Sequence, residues 1–209
     1  RTDTPWYPSA QLFRQSEAGE WEPTIRDLIG LLESEGVYAK LNTTEALNLE
    51  GISKDPAAKA TEAILLAKAW ALHRSNEAQR AQCLYEYILH INSEHFDALR
   101  LVASLYAGRE DHESAIEFFE KALKICQTDA SVYLNQGASL RALGRLQEAI
   151  NSYTGALQIR PDYAQAHCNL GNIFKQLENY EAALTSYQTA IRYEPTNINT
   201  LLNHGLTLG

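Results

Sequence analysis

Small and large apolar residues recur along most of this chain at a spacing of 34 residues. Residues 130–163 align with 164–197 without a gap. Gly137 falls on Gly171, Ala149 on Ala183, Tyr153 on Tyr187, Ala156 on Ala190 and Pro161 on Pro195. One step back, residues 96–129 carry Ala103, Ala115, Phe119 and Ala122 at the same places. A further step, 62–95, carries Ala69, Ala81, Tyr85 and Ile88. Forward of 197, residues 198–209 supply a first helix only, with Gly205 in register.

Within a unit the pattern predicts two helices. In 164–197 the first covers Ala164–Gln176 and the second Tyr180–Tyr193. Gly171 on the first helix, and Ala183 and Ala190 seven apart on one face of the second, let the axes approach where larger side chains would clash. Phe174 and Tyr187 supply the volume beside that contact. Pro195 ends the second helix, because it donates no backbone bond and biases Glu194 away from helical angles. The final helix, Ile198–Leu208, is expected to cover the preceding pair with Leu201 and Leu208. Its other face then resembles the stacking face that arrays leave open where no polar cap is present.

These residues resemble the tetratricopeptide repeat family, whose 34-residue unit has this arrangement of small, large and proline positions. The resemblance is strongest over 130–197. Unit 96–129 has Gln127 where the proline stands, and unit 62–95 has Ile88 at a small position and Ser93 at the proline position. It implies an all-α, right-handed superhelical solenoid of antiparallel helix pairs over 62–209, used for protein–protein interaction. The N-terminal part reads differently. Residues 1–24 form an aromatic strap with Trp6, Tyr7 and Phe13, or the tail of a preceding domain. Residues 25–61 read as a lone helix after Trp21 and Pro23, then an irregular insertion over 36–57 with Gly36, Gly51 and Pro56 and a short helix at 44–49.

Composition narrows the function class. Hydrophobic residues make up 45% of the 209, a folded-protein value. The formal charge of −8, with no basic block, is unsuited to nucleic acid, whose affinity rests on neutralised phosphates. No apolar run approaches the ~18 residues of a membrane span. Cys83, Cys126 and Cys168 are too few and too far apart for a disulfide framework, which favours a reducing, cytoplasmic setting. The chain opens at Arg1 and contains no Met, so it reads as an internal piece of a longer protein.

Candidate chemistry is sparse. His90 and His95 are the closest histidine pair, without the spacing that sets two metal ligands on one helical face. His167 stands at a large packing position, and Cys168 is expected to face the groove. Glu113, Glu117 and Glu120 read as a solvated face. No phosphate loop, nucleophile elbow or paired-acid motif is present, so neither cofactor, metal nor catalysis is expected of this piece.

The informative constellation is a row of asparagines. Asn135, Asn169 and Asn203 each take the sixth place of a first helix, spaced by 34. An amide there donates and accepts at once, which suits the main chain of an extended peptide. Solvated asparagine merely tolerated on an exposed face is the alternative. Three in register, in helices where Asn is a middling former, favour binding. Asn172 and Gln176 extend the lining, and Arg141 and Lys175 make it less acidic than the chain as a whole.

Such a ladder resembles the arm of the O-linked N-acetylglucosamine transferases, which implies a protein-substrate groove at Asn135, Asn169 and Asn203. The motif fails at Leu101 and Ala67, so the row starts late. The carboxylate clamp of the family's chaperone-tail binders fits poorly: the best register offers Arg100, Ser104, Asn135, Gln165 and Asn169, short of its cations. The segment from Asp3-Thr4-Pro5-Trp6-Tyr7-Pro8 through Leu12-Phe13-Arg14-Gln15 to Gly19-Glu20-Trp21 resembles the closing segment of bacterial tetratricopeptide-linked glycosyltransferases. The resemblances imply a peptide-binding scaffold, the acceptor-binding arm of a larger glycosyltransferase. A self-assembly element joining copies through its helix faces, the C-terminal end above all, is the alternative.

Overall fold

The computed structural model describes residues 56–75 and 77–208, with side chains from residue 62 onward. The chain divides into two compact units, Arg1–Ile64 and Leu65–Gly209. The expected strap over 1–24, the lone helix and the short helix at 44–49 lie outside the described residues.

Among the described residues the chain is entirely helical. The helices are α1 (Pro56–Arg74), α2 (Ala78–Ile91), α3 (Phe96–Gly108), α4 (His112–Ile125), α5 (Ala130–Ala142), α6 (Leu146–Ile159), α7 (Ala164–Gln176), α8 (Tyr180–Tyr193) and α9 (Ile198–Leu208). The bounds of α7, α8 and α9 are those the spacing predicts. Pro56, read from sequence as loop, instead opens α1. Proline at a first helical position gives up an amide that has no partner there, and the alanine-rich run after it favours helix.

Two kinds of turn alternate. The inner turns 109–111, 143–145 and 177–179 each hold one residue in the left-handed region: Glu110 (φ 64°), Gly144 (φ 73°) and Glu178 (φ 58°). Three of the four described outer turns end on a side chain that caps the next helix, the exception being Tyr163 before α7. His95 Nδ1 accepts from the Ala98 amide at 3.2 Å, Asp129 from Ser131 at 2.8 Å, and Asn197 from Thr200 at 3.1 Å. Capping satisfies amides that have no intrahelical partner. α4 stops at Ile125 although Gln127 stands where the later units have proline, so proline reinforces this turn without being required for it.

From α2 onward each helix packs on the next in the chain, and successive first helices (α3 with α5, α5 with α7, α7 with α9) also touch. Short connections of this kind make neighbouring helices antiparallel. The glycines have a sharper role than their spacing alone suggests. A Cβ at Gly137 would lie 2.7 Å from Cε1 of Tyr153, and one at Gly171 2.6 Å from Cε1 of Tyr187. Each glycine is the floor under a buried tyrosine ring. Ala115, Ala149, Ala183, Ala122, Ala156 and Ala190 close the same cores from the second helix.

α9 departs from expectation. Its buried residue is Thr200, in register with the buried Ala98, Val132 and Ala166, whereas Leu201 and Leu208 are 44% and 64% exposed. In earlier units the places of Leu201 and Leu208 pack inside their own pair (Leu99 and Tyr106 against α4, for example), and no following helix covers α9 among the described residues.

Candidate functional site

The outer-turn caps fix where α5 and α9 begin, and α7 begins in the same register, so Asn135, Asn169 and Asn203 occupy equivalent sites on helices that touch one another in series. Asn135 is exposed, and Asn169 and Asn203 are half-buried. Neither Asn135 nor Asn169 makes a side-chain hydrogen bond among the described residues, so both amides are available to a ligand. Arg141 and Gln176 are exposed and Lys175 half-buried. The Arg141 charge acts on the phenols of both Tyr153 and Tyr187.

Asn172 is different. Its Oδ1 accepts from the Tyr187 hydroxyl at 2.8 Å and from Nδ2 of Asn203 at 3.0 Å. It is a brace between the core tyrosine of one unit and the row asparagine of the next. One repeat earlier its place is held by Ala138, and the buried hydroxyl of Tyr153 has no partner among the described residues. Burial pushes the phenol of Tyr187 up to about 12; the neighbouring Cys168 adds to the shift and Arg141 opposes it. Burial likewise pushes Tyr153 up to about 12 against Arg141.

Cys168 does not face the groove as its position suggested. It is buried with Ala183, Tyr187 and Ala190, because the fifth place of α7 turns toward α8 while the sixth turns out. Its thiol is a packing group. A shallow depression lined by Phe174, Asn179, Ala182 and Ser186 lies along α7 and α8, apart from the asparagine row.

Comparison with known proteins covers the same stretch of chain, and one match, 164–197, has the bounds of a single repeat. Tetratricopeptide repeat models match residues 66–130, 118–151 and 164–197, and a TPR repeat model matches 137–178. Residues 66–197 are tetratricopeptide repeats. No curated protein sequence matches the chain. Among solved structures, the array resembles MamA at a TM-score of 0.66 and 21% identity, covering 70% of this chain and 80% of that one. It resembles YrrB, described as a TPR protein with an unusual peptide-binding site, at 0.62 and 21%, covering 73% and 82%. PilF of Pseudomonas aeruginosa gives 0.66 and 20%, covering 72% and 68%. At these identities the likeness is one of fold.

In the tetratricopeptide array the remaining candidates take structural places. Arg100 is held by Asp97 at 2.9 Å with both side chains mostly buried, so the cation of the best clamp register is already paired. His95 caps α3. His167 donates from Nε2 to the Pro161 carbonyl at 2.9 Å and stacks on Tyr193. Among the described residues no group of His, Cys, Asp and Glu is placed to hold a metal, and no helix is long and apolar enough to cross a membrane. Sequence reasoning missed the brace through Asn172 and the buried Ser152–Gln136 hydrogen bond at 3.0 Å. The signal for the brace was available: a tyrosine at one place and asparagines at two others, all in fixed register.

Proposed function

We propose that this array is a protein-interaction module that holds an extended polypeptide along the row Asn135, Asn169 and Asn203, gripping its main chain. The observation that carries the reading is the row itself: three amides in one register on touching helices, two of them without an intramolecular partner among the described residues. Main-chain recognition needs groups that donate and accept together, and asparagine supplies both from one short side chain. It tolerates many sequences and gives modest affinity, since ordering a flexible peptide offsets much of the contact energy. Gln176, Arg141 and Lys175 flank the row and favour peptides without a high positive charge. The ladder and the segment from Asp3 to Trp21 support a finer reading, in which the module is the acceptor-binding arm of a larger glycosyltransferase.

The test uses an array of random twelve-residue peptides and one variant carrying Asn135→Ala and Asn169→Ala. Two lost main-chain hydrogen bonds weaken binding by about 1–3 kcal/mol if they add. Alanine is the better helix former, so the melting temperature holds or rises. Unchanged peptide binding would leave the row as ordinary solvated asparagines, and a lower melting temperature would assign it to the fold.

A second reading, self-assembly, is favoured by one observation: Ile198, Leu202, Leu206 and Leu208 on α9 are between 57% and 71% exposed. The occupant of that face is a second copy of the chain, meeting it about a two-fold axis.

A further inference from the structure

We infer that Asn172 is a positioning residue for the peptide groove: it locks the Asn203 amide by linking it to the Tyr187 hydroxyl. The inference rests on the peptide-binding reading and deepens it. Oδ1 of Asn172 receives the Tyr187 hydroxyl at 2.8 Å and Asn203 Nδ2 at 3.0 Å. The tyrosine ring is fully buried over Gly171, so the start of this chain of bonds is fixed by the core. An asparagine amide can rotate end for end, presenting oxygen or nitrogen in either direction. With one Nδ2 hydrogen held by Asn172, the Asn203 oxygen and its second Nδ2 hydrogen have a set orientation before any peptide arrives. A preorganised group spends less entropy on binding than one that must be ordered by its ligand.

The repeat provides its own control. Asn169 is equivalent to Asn203, and Tyr153 to Tyr187, but the place between them is Ala138. The Tyr153 hydroxyl is buried without a partner among the described residues, and Asn169 is unbraced. The two units therefore share a rung and a phenol and differ in the link. Asn172 uses only its oxygen in these bonds, so a carboxylate should replace it and an aliphatic side chain of similar size should not. Ala138 is exposed on α5.

The experiment measures binding of the whole chain to the random twelve-residue peptide array, with melting curves for every variant. Asn203→Ala is expected to weaken half-saturation roughly two- to tenfold, as one hydrogen-bonding group is lost. Asn172→Leu is expected to weaken it by a similar factor, and Asn172→Asp to restore it to within about twofold of the parent. Ala138→Asn is expected to strengthen binding by roughly two- to tenfold, and that gain should vanish when Tyr153→Phe is added. Loss of the gain on removing the phenol separates bracing of Asn169 from a new direct contact made by the introduced amide, which would not need the phenol. If Asn203→Ala weakens binding and neither Asn172→Leu nor Ala138→Asn changes it, the groove stands and the positioning role is overturned. A folded Asn172→Asp that binds as poorly as Asn172→Leu overturns it too. If Asn203→Ala and the Asn135, Asn169 pair leave binding unchanged, the groove reading itself fails and the inference with it. Should Asn172→Leu melt below the assay temperature, the Ala138→Asn pair decides, since it requires no loss of fold.

Discussion

A methyl group added at Gly171 would sit 2.6 Å from Cε1 of Tyr187, whereas one added at Gly205, the same place one repeat later, meets nothing within 4 Å. The ring cannot retreat, because Tyr187 is fully buried. Gly171→Ala should therefore cost about 1–3 kcal/mol by overpacking. Gly205→Ala should stabilise by about 0.5–1 kcal/mol, the ordinary gain of alanine over glycine inside a helix. Thermal melts in which both changes stabilised would show that propensity, not the ring, governs this place. The two buried tyrosines offer a matching contrast. Tyr187→Phe removes a made hydrogen bond and should cost about 0.5–1.5 kcal/mol, whereas Tyr153→Phe removes an unpartnered hydroxyl and should be neutral or slightly stabilising. Both phenols are raised from 10 to about 12 by burial. The unfolded chain loses these protons first, so stability is level below pH 10 and falls as pH rises from 10 to about 12. Each Phe variant should lose its share of that fall in urea titrations across the window.

At the level of the helix and its turn, the left-handed residue is a property of the site rather than of the side chain. Gly144 meets it without strain, while Glu110 and Glu178 hold positive φ with a Cβ. Replacing both glutamates with glycine should stabilise by about 0.5–1 kcal/mol each, the relief of strain exceeding the added freedom of the unfolded chain. A fall in melting temperature for both would show that their side chains contribute more than their backbones cost. This turn marks the limit of sequence reading. The helices were legible because packing positions repeat: Gly171, Ala183, Tyr187 and Ala190 fixed α7 and α8 to the residue. The turn residue was not, because two of its three occupants are an amino acid that ordinarily avoids that conformation. The candidate row was legible too, since an outward polar place in a repeating helix has only the register to explain it. The brace escaped because it joins Tyr187, Asn172 and Asn203, and the last pair is 31 residues apart on different helices. Cys168 was misplaced for a simple geometric reason: adjacent helical residues point about 100° apart, so the neighbour of an outward residue can face the core.

Across the described array each helix packs against its neighbours, so on the self-assembly reading proposed above the place to test is the helix face that no other described helix covers. α9 is that face in the described residues. Gly205 stands where Gly137 and Gly171 are each covered by a tyrosine ring, and Leu202 stands where Leu134 and Cys168 are buried. The exposed Ile198, Leu202, Leu206 and Leu208 would contribute eight side chains to a two-fold pairing of two copies. At about 1–2 kcal/mol for the part of each still to be buried, the gain is roughly 8–16 kcal/mol. Association costs about 4–15 kcal/mol in lost freedom, so only a few kcal/mol remain. A surplus of about 4–8 kcal/mol would give a dissociation constant between the millimolar and micromolar ranges, a weak and concentration-dependent dimer. A two-fold pairing uses the same patch on both copies and closes on itself, so growth should stop at two. Sedimentation equilibrium over a wide concentration range should show monomer and dimer only. A variant with Leu202→Glu and Leu206→Glu should stay monomeric at every concentration, because each copy would bring two charges into the contact. A parent chain that is strictly monomeric at millimolar concentration would remove the case for assembly through α9. Dimerisation that survives both glutamates would move the contact to another face.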